Sequence, residues 1–413
     1  MIPRVATVAA TLLLLLLVVT SAPVQATFSI VAVDTITGEV GGAGASCIAG
    51  SQIINDIIES VGAVHTQAWY QSGNQNNAHD LLAEGQTPDS ILQWLYANDI
   101  QDRPEWRQYG VVTLAGAGAS AGFTGVATDP WRGHITGPGY SIQGNILLSQ
   151  QIIDSMEYEF LNTEGPLEEK LMAALEAAKV PGADTRCLPN NKSAISAFIR
   201  VVRPGDGGTT YLYEVINNTS GTTEPIDLLR VAYDAWKLLK QADADSSTVQ
   251  ATPLVIEANG SDTALVTVTP FNNEGNPPSD GVSSVSTANS GSGSIQAGAQ
   301  DNGDGSFSAV LTASTTTGLD TITATVEAAG QFVALNQPPV VTYYRCGDLD
   351  GSLTETVDIA DLVYVVDYMF NAGPPPPILE ASDIDGSGGP LDIADLVYVV
   401  DYMFNGGPLP LCN

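Results

Sequence analysis

The sequence predicts a multidomain chain: an α/β layered sandwich, then an all-β sandwich, then a small α-helical pair. Three observations predict it. Strand pairs and helical patterns alternate between residues 27 and 240. The composition then shifts to alternating runs rich in Thr, Val, Ser and Gly. Near the C-terminus a block of fourteen residues occurs twice, letter for letter: Asp358–Asn371 and Asp392–Asn405 both read DIADLVYVVDYMFN.

Charge bounds the partners. The net charge is −32, which argues against nucleic acid and anionic membrane surfaces. Thirteen of the 14 Lys and Arg residues lie before residue 241, and Arg345 is the only one after it. Residues 1–26 read as a signal peptide: Arg4, the apolar run Leu12–Val19, and a small-residue cleavage site at Val24-Gln25-Ala26. That run is too short to span a bilayer and no later stretch qualifies. The expected mature chain is secreted, extracellular or cell-surface associated, and begins at Thr27. Cysteines of an exported chain usually pair. Cys346 and Cys412 bracket the tail and would clip its ends together. Cys47 and Cys187 remain for the first domain, as a second disulfide or with Cys47 as a buried free thiol.

In residues 27–240, Phe28–Asp34 and Val40–Ser46 read as strands around a turn at Gly38. Gly110–Leu114 and Ala119–Thr124 form a second pair, Ser196–Arg203 and Thr210–Ile216 a third. Helical patterns fit Ala78–Glu84, Pro88–Ala97, Asn145–Phe160, Pro166–Ala178 and Pro225–Leu239. The phrases TFSIVAVD with TGEVG, VGAVHTQAWY, QYGVV with AGFTG, HITGPGYSIQGNIL and GPLEEKLMAALEAA follow one another in order. In these phrases the domain resembles a bacterial family assigned an N-terminal-nucleophile-hydrolase-like fold. One segment departs from that pattern: Pro181–Leu188, where the family carries a Gly/Asp/Arg-rich stretch.

Thr27 is the mechanistic candidate. Cleavage after Ala26 would leave it a free α-amine, whose pKa of about 7.7–8.0 lets it accept a proton from the hydroxyl of the same residue. Such a nucleophile suits amide hydrolysis of an unidentified small-molecule or peptide substrate. Ser46 ends the Gly-rich strand, where close backbone packing is the alternative. His65 and Gln67 share an alternating stretch with Trp69 and could line a pocket, or His65 is a structural histidine. Asn145 could donate to an oxyanion or cap a helix. No HxxxH or CxxC spacing for zinc occurs, nor a phosphate-cradling Gly loop.

Residues 241–247 read as a linker and 248–343 as an all-β, immunoglobulin-like sandwich, with Phe271, Phe307 and Phe332 in its core. In NGSDTALVTVTPFNNEGNPP and DNGDGSFSAVLTA it resembles the repeats of invasin-type adhesins, which implies a spacer.

The tail, 346–413, holds 12 acidic residues and no Lys or Arg. An acidic Gly/Ser loop precedes each repeated block. Carboxylates at loop positions one and three, a hydroxyl at five and an acid at the helix entry are oxygen ligands for a hard divalent cation. In the first copy these are Asp348, Asp350, Ser352, Asp358 and Asp361; in the second, Asp383, Asp385, Ser387, Asp392 and Asp395. Ile359, Leu362, Val363, Val366, Met369 and Phe370 are expected on one helical face. Loop, helix and duplication resemble a type I dockerin. That resemblance implies two Ca2+ ions, a cohesin-like domain as partner and, from dockerin company alone, membership of a polysaccharide-degrading assembly. Two departures stand out: Leu353 replaces the usual glycine at position six, and the helix-entry pairs are Ile359-Ala360 and Ile393-Ala394. The expected function is a secreted amide-bond hydrolase, or an inactive relative, on a calcium-dependent docking module. The alternative is a non-enzymatic ligand-binding or scaffold component of an extracellular assembly.

Overall fold

The computed structural model describes residues 27–207, 210–354 and 356–412. The signal-peptide reading of residues 1–26 lies outside them. The chain divides into two compact units, Met1–Tyr233 and Asp234–Asn413.

The first unit runs β1 (Thr27–Val33), β2 (Val40–Ser46), β3 (Asn55–Ile58), β4 (Gly62–Ala68), α1 (Ser72–Ala83), α2 (Pro88–Ala97), β5 (Arg107–Thr113), the one-turn α3 (Ala115–Gly118), β6 (Ser120–Thr124), β7 (Gly133–Gly137), β8 (Tyr140–Asn145), α4 (Gln151–Asn162), α5 (Leu167–Ala177), β9 (Ser196–Val202), β10 (Leu212–Ile216) and α6 (Pro225–Leu238). Two antiparallel sheets form, in the orders β10-β9-β2-β1-β8-β7 and β3-β4-β5-β6. They face each other, with α4 and α5 covering the first and α1 and α2 the second. The result is a four-layer α/β/β/α sandwich. Gly-rich β2 makes the central layers close: a Cβ on Gly41 would lie 2.6 Å from Leu171 of α5, and one on Gly42 would lie 2.7 Å from the His65 ring of the facing sheet.

The space between the sheets has two characters. At one end Val31, Val33, Val40, Ile57, Ala63, Val112 and Val202 make an apolar cluster. Along the same inward faces, towards the start of β1, the buried residues turn polar: Thr27, Ser29, Ser46, Gln67, Gln108, Gln143 and Asn145.

Two expectations for this unit are corrected. The helix expected over Asn145–Phe160 forms only from Gln151, as α4, while Asn145 ends strand β8 of a β7–β8 hairpin. Asn145 is therefore a strand residue and not a helix cap. Inward-facing Ser141, Gln143 and Asn145 are polar, so β8 lacks the apolar period of two that marks a half-buried strand. Helix α1 begins at Ser72, a turn and a half before Ala78. Of the two readings left open for Cys47, the disulfide holds: it is bonded to Cys187.

The second unit opens with residues 241–247 as a tied turn rather than a loose linker. Ala242 is buried with the sandwich core, and Asp243 accepts the backbone N–H groups of Asp245 and Ser246. The strands are β11 (Thr248–Thr252), β12 (Val255–Glu257), β13 (Thr263–Thr269), β14 (Ser284–Asn289), β15 (Ser294–Ile295), β16 (Gln300–Asp301), β17 (Phe307–Thr312), β18 (Gly318–Ala328), β19 (Gln331–Ala334) and β20 (Val340–Tyr344). One sheet orders β11-β13-β17-β15 and the other β12-β20-β18-β14, with β16 and β19 added at β17 and β18. Val266, Val268, Leu311, Ile322, Val326 and Tyr343 fill the space between them. Phe307 is in this core, whereas Phe332 is 72 % exposed. On β19 it is Val333, the neighbour pointing the other way, that packs inward.

The tail carries α7 (Ile359–Asn371) and α8 (Ile393–Val400), the latter continuing through a π-turn at Asp401–Asn405. Cys346 and Cys412 are bonded. The expected single apolar face is split. Val365 and Val399 are buried with Leu349 and Ile384, and Leu362 and Met369 pack beside them. Ile359, Val363, Val366 and Phe370, and their counterparts Ile393, Val397, Val400 and Phe404, face outward. Two short helices share a core too narrow for both sides of so apolar a sequence. Among the described residues no helix is long and apolar enough to cross a membrane.

Candidate functional site

Three strands bring three of the sequence-derived candidates together. Thr27 opens β1, and in the sheet it stands directly opposite Asn145, the last residue of β8. On the other side Ser46 ends β2, and the Thr27 hydroxyl lies 3.4 Å from the Ser46 Oγ. All three are buried.

Behind them runs a chain of neutral hydrogen bonds across the two sheets. Ser141 donates to Gln143 Oε1 (3.0 Å), Gln143 Nε2 to Ser29 Oγ (2.7 Å), and Ser29 to Gln67 Oε1 (2.7 Å). Gln67 Nε2 donates to Gln108 Oε1 (2.7 Å) and to the Thr27 carbonyl (3.3 Å). Gln108 Nε2 reaches Thr124 Oγ1 and the carbonyls of Gly133 and Gly144. Ser29, Gln67, Gln108 and Gln143 each both donate and accept. Sequence reading named Gln67 but passed over Ser29, Gln108 and Gln143. For Ser29 and Gln143, as for Gln67, the signal was a polar residue every second position in TFS, YSIQGN and VHTQ; Gln108 in RQYGVV had no such mark.

His65 belongs to this network without touching Thr27. Its Nε2 lies 3.2 Å from Asn55 Oδ1, its Nδ1 3.4 Å from Gln143 Nε2, and its ring meets Phe198 edge-on. Full burial pushes its pKa down to about 3, so the ring is neutral. Its surroundings are those of a structural histidine.

A further residue was missed. Asp184 is fully buried and accepts the backbone N–H of Cys47, next to Ser46, at 2.7 Å. Arg186 donates to both of its carboxylate oxygens. With the Cys47–Cys187 bond, this pair fastens the 184–190 segment beside the end of β2. The departing Pro181–Leu188 stretch thus lies against the candidate site.

In the tail, each loop gathers three carboxylates. One oxygen each of Asp348, Asp350 and Asp361 lie within 4.8 Å of one another, as do oxygens of Asp383, Asp385 and Asp395. Asp361 is held by N–H groups of Leu349, Asp350 and Asp358, and Asp395 by those of Ile384, Asp385 and Asp392. Asp358 and Asp392 stand outside the trios. Each caps its helix, accepting from Ala360 and Ala394 in a capping box. Ser387 Oγ lies 3.4 Å from Asp383 Oδ1, while Ser352 contributes its backbone N–H to Asp348 and Asp350. Burial raises the pKa of Asp348 and of Asp361, and the neighbouring carboxylates add to it. Convergent hard oxygen donors of like charge suit a divalent cation of the calcium class.

Residues 27–235 match the model of a family of unknown function, DUF1028. The chain belongs to the DUF1028 family. Residues 243–345, following the DUF1028 domain, match the model described as Invasin, domain 3. A DUF1028 crystal structure from Silicibacter pomeroyi is 23 % identical, covers 51 % of this chain and 88 % of its own, and has a TM-score of 0.43. The Yersinia pseudotuberculosis adhesin InvE is 31 % identical over 24 % of this chain and 27 % of its own, with a TM-score of 0.21. InvD of the same species is 32 % identical over the same shares, also at 0.21. The chain thus spans about a quarter of those adhesins. No curated protein matches it. An invasin-type domain and two disulfides fit an extracellular or surface location.

Proposed function

We propose that the DUF1028 domain is an amide-bond hydrolase of the N-terminal-nucleophile kind, borne on a tail that closes around calcium and docks to a cohesin-like domain. The supporting observation is the placement of Thr27. It opens a central strand, faces the opposing sheet, and has Ser46 and Asn145 on either side. After cleavage behind Ala26, the α-amine takes the proton of Oγ as Oγ attacks the substrate carbonyl. The C–N bond then breaks, and the same proton leaves on the departing amine. Water hydrolyses the resulting ester. Ser46 orients the hydroxyl, and Asn145 supplies a donor for the oxyanion.

In the tail, Asp348, Asp350 and Asp361 would hold one Ca2+ and Asp383, Asp385 and Asp395 a second. The ion supplies the positive charge each trio lacks. The outward stripes of α7 and α8 are the surface for the cohesin-like partner. A polysaccharide-degrading assembly is the setting this docking suggests.

Burial favours a second reading. In the chain that still carries residues 1–26 the Thr27 hydroxyl is buried, as it would be in a non-enzymatic binding or scaffold component. Intact mass of the secreted protein shows whether Thr27 is its first residue. Turnover across an amide and ester panel that vanishes in Thr27→Ala, with the fold intact, supports the hydrolase. Turnover unchanged in Thr27→Ala rejects it, and no turnover in either protein selects the binding reading. Calorimetry should count two calcium ions.

A further inference from the structure

Every other arginine between residues 27 and 233 meets an acceptor. Arg103 faces Glu105, Arg107 Asp99, Arg186 Asp184, Arg203 Glu39 and Arg230 Glu169, while Arg132 donates to the carbonyls of Thr128 and Val126. Arg200 is the exception. It sits on β9 opposite Gly42 of β2 and, two residues before Val202, points into the space between the sheets. Among the described residues its Nε is buried without a hydrogen-bond partner, and its guanidinium lies over the Tyr213 ring, 5.6 Å from the centroid. A buried donor left unmatched in this way costs stability and calls for an explanation.

The explanation is a cavity of about 220 Å³ that Arg200 helps to line, with Ile57, Ile58 and Val202 as apolar walls and Glu59 and His79 at its polar side. The two acids nearby have partners other than Arg200. Glu59 accepts the N–H groups of Gly205 and Gly207, and Asp56 lies 2.8 Å from His79 Nδ1. Among the described residues no carboxylate pairs with Arg200. The site is distinct from that of Thr27: in the β2–β9 register Ser46 pairs with Ser196, and Arg200 lies further along with Gly42.

We infer that this cavity binds a small organic carboxylate, the guanidinium of Arg200 taking the carboxylate and the two isoleucines and Val202 its apolar body. A planar guanidinium matches a carboxylate in two parallel hydrogen bonds, and Nε is one of the donors that form them. Isothermal titration of the secreted chain with benzoate and with butyrate tests this, using benzyl alcohol as the uncharged control. At least one acid should bind with a dissociation constant of about 1 mM or tighter, and benzyl alcohol at least tenfold more weakly. Arg200→Gln should lose at least tenfold in affinity for that acid at an unchanged thermal midpoint, and Arg200→Lys should lose less. Equal binding of acid and alcohol, undiminished binding by Arg200→Gln, or no heat from either acid up to about 10 mM overturns the inference. The acid–alcohol comparison needs no variant, so it decides even where Arg200→Gln fails to fold.

Discussion

Between the sheets of the DUF1028 domain, and again in the loops of the tail, polar side chains crowd together, but they differ in charge. Ser29, Gln67, Gln108 and Gln143 are neutral and hand hydrogen bonds from one to the next. The cluster is complete within the chain. Asp348, Asp350 and Asp361 are acids, and so are Asp383, Asp385 and Asp395. Backbone N–H groups orient them but cannot cancel their charge. The first cluster closes by geometry; the second, on the function proposed above, would close around a cation.

The two loops sharpen the point, because the helices that follow them begin identically. At position six, Leu353 and Gly388 both donate a backbone N–H to their Asp, Asp348 or Asp383, at 3.0 and 2.9 Å. Both have positive φ, 55° for Leu353 and 77° for Gly388. Glycine adopts this freely; leucine does so at a cost of about 1–2 kcal/mol. Leu353 recovers part of it by packing beside Tyr344, Ile378 and Ala381, contacts that Gly388 cannot make.

The largest separation of the two regions should come from metal removal. With calcium 100-fold above its dissociation constant each site adds about 2.7 kcal/mol, so two sites rival the whole stability of a small domain. EDTA should therefore abolish the tail's thermal transition and leave that of the DUF1028 domain in place; two unshifted transitions would break the comparison. Acid should act on the other region. With its folded pKa lowered to about 3, His65 stays neutral in the fold while the unfolded chain takes up a proton below about pH 6.5. Its share of stability is full above pH 6.5 and is lost as pH falls towards 3, measurable as a declining urea midpoint that His65→Gln should flatten. Gln108→Leu removes the acceptor of Gln67 and leaves the Gly144 carbonyl without its donor, which should cost about 2–3 kcal/mol by urea unfolding, with no rescue by calcium. The smallest effects separate the loops. Gly388→Leu should cost the calcium-loaded tail about 1–2 kcal/mol, there being no atom near that position to repay it. Leu353→Gly should change stability by less than about 1 kcal/mol, since strain released and packing lost are similar in size. Equal effects in the two loops would show that position six bears no strain.

Much of the tail was legible because its rules are local. A capping aspartate acts on residues two and three positions on, and each acidic trio lies within one short loop and the helix it enters, so the gathering of Asp361 and Asp395 with their loops followed from spacing alone. Spacing did not show that Asp358 and Asp392 would serve as caps outside the trios, or which half of the helix stripe would be buried. In the DUF1028 domain, β1, β2 and α2 follow their periodicity. Strand β8 was missed because its buried face is polar, and polarity in a buried face makes sense only once Gln67 and Gln108 are seen opposite it.

The sequence by itself determined the order of the modules, the duplicated acidic loops, the pairing of Cys346 with Cys412 and Thr27 as a candidate nucleophile. The tertiary structure decided that Thr27, Ser46 and Asn145 become neighbours, that His65 does not join them, and that Arg200 faces a cavity instead of an acid. Those facts depend on which strands pair and which faces meet across residues far apart in the chain. Strand register and sheet packing set them, and no local period of the sequence carries that information.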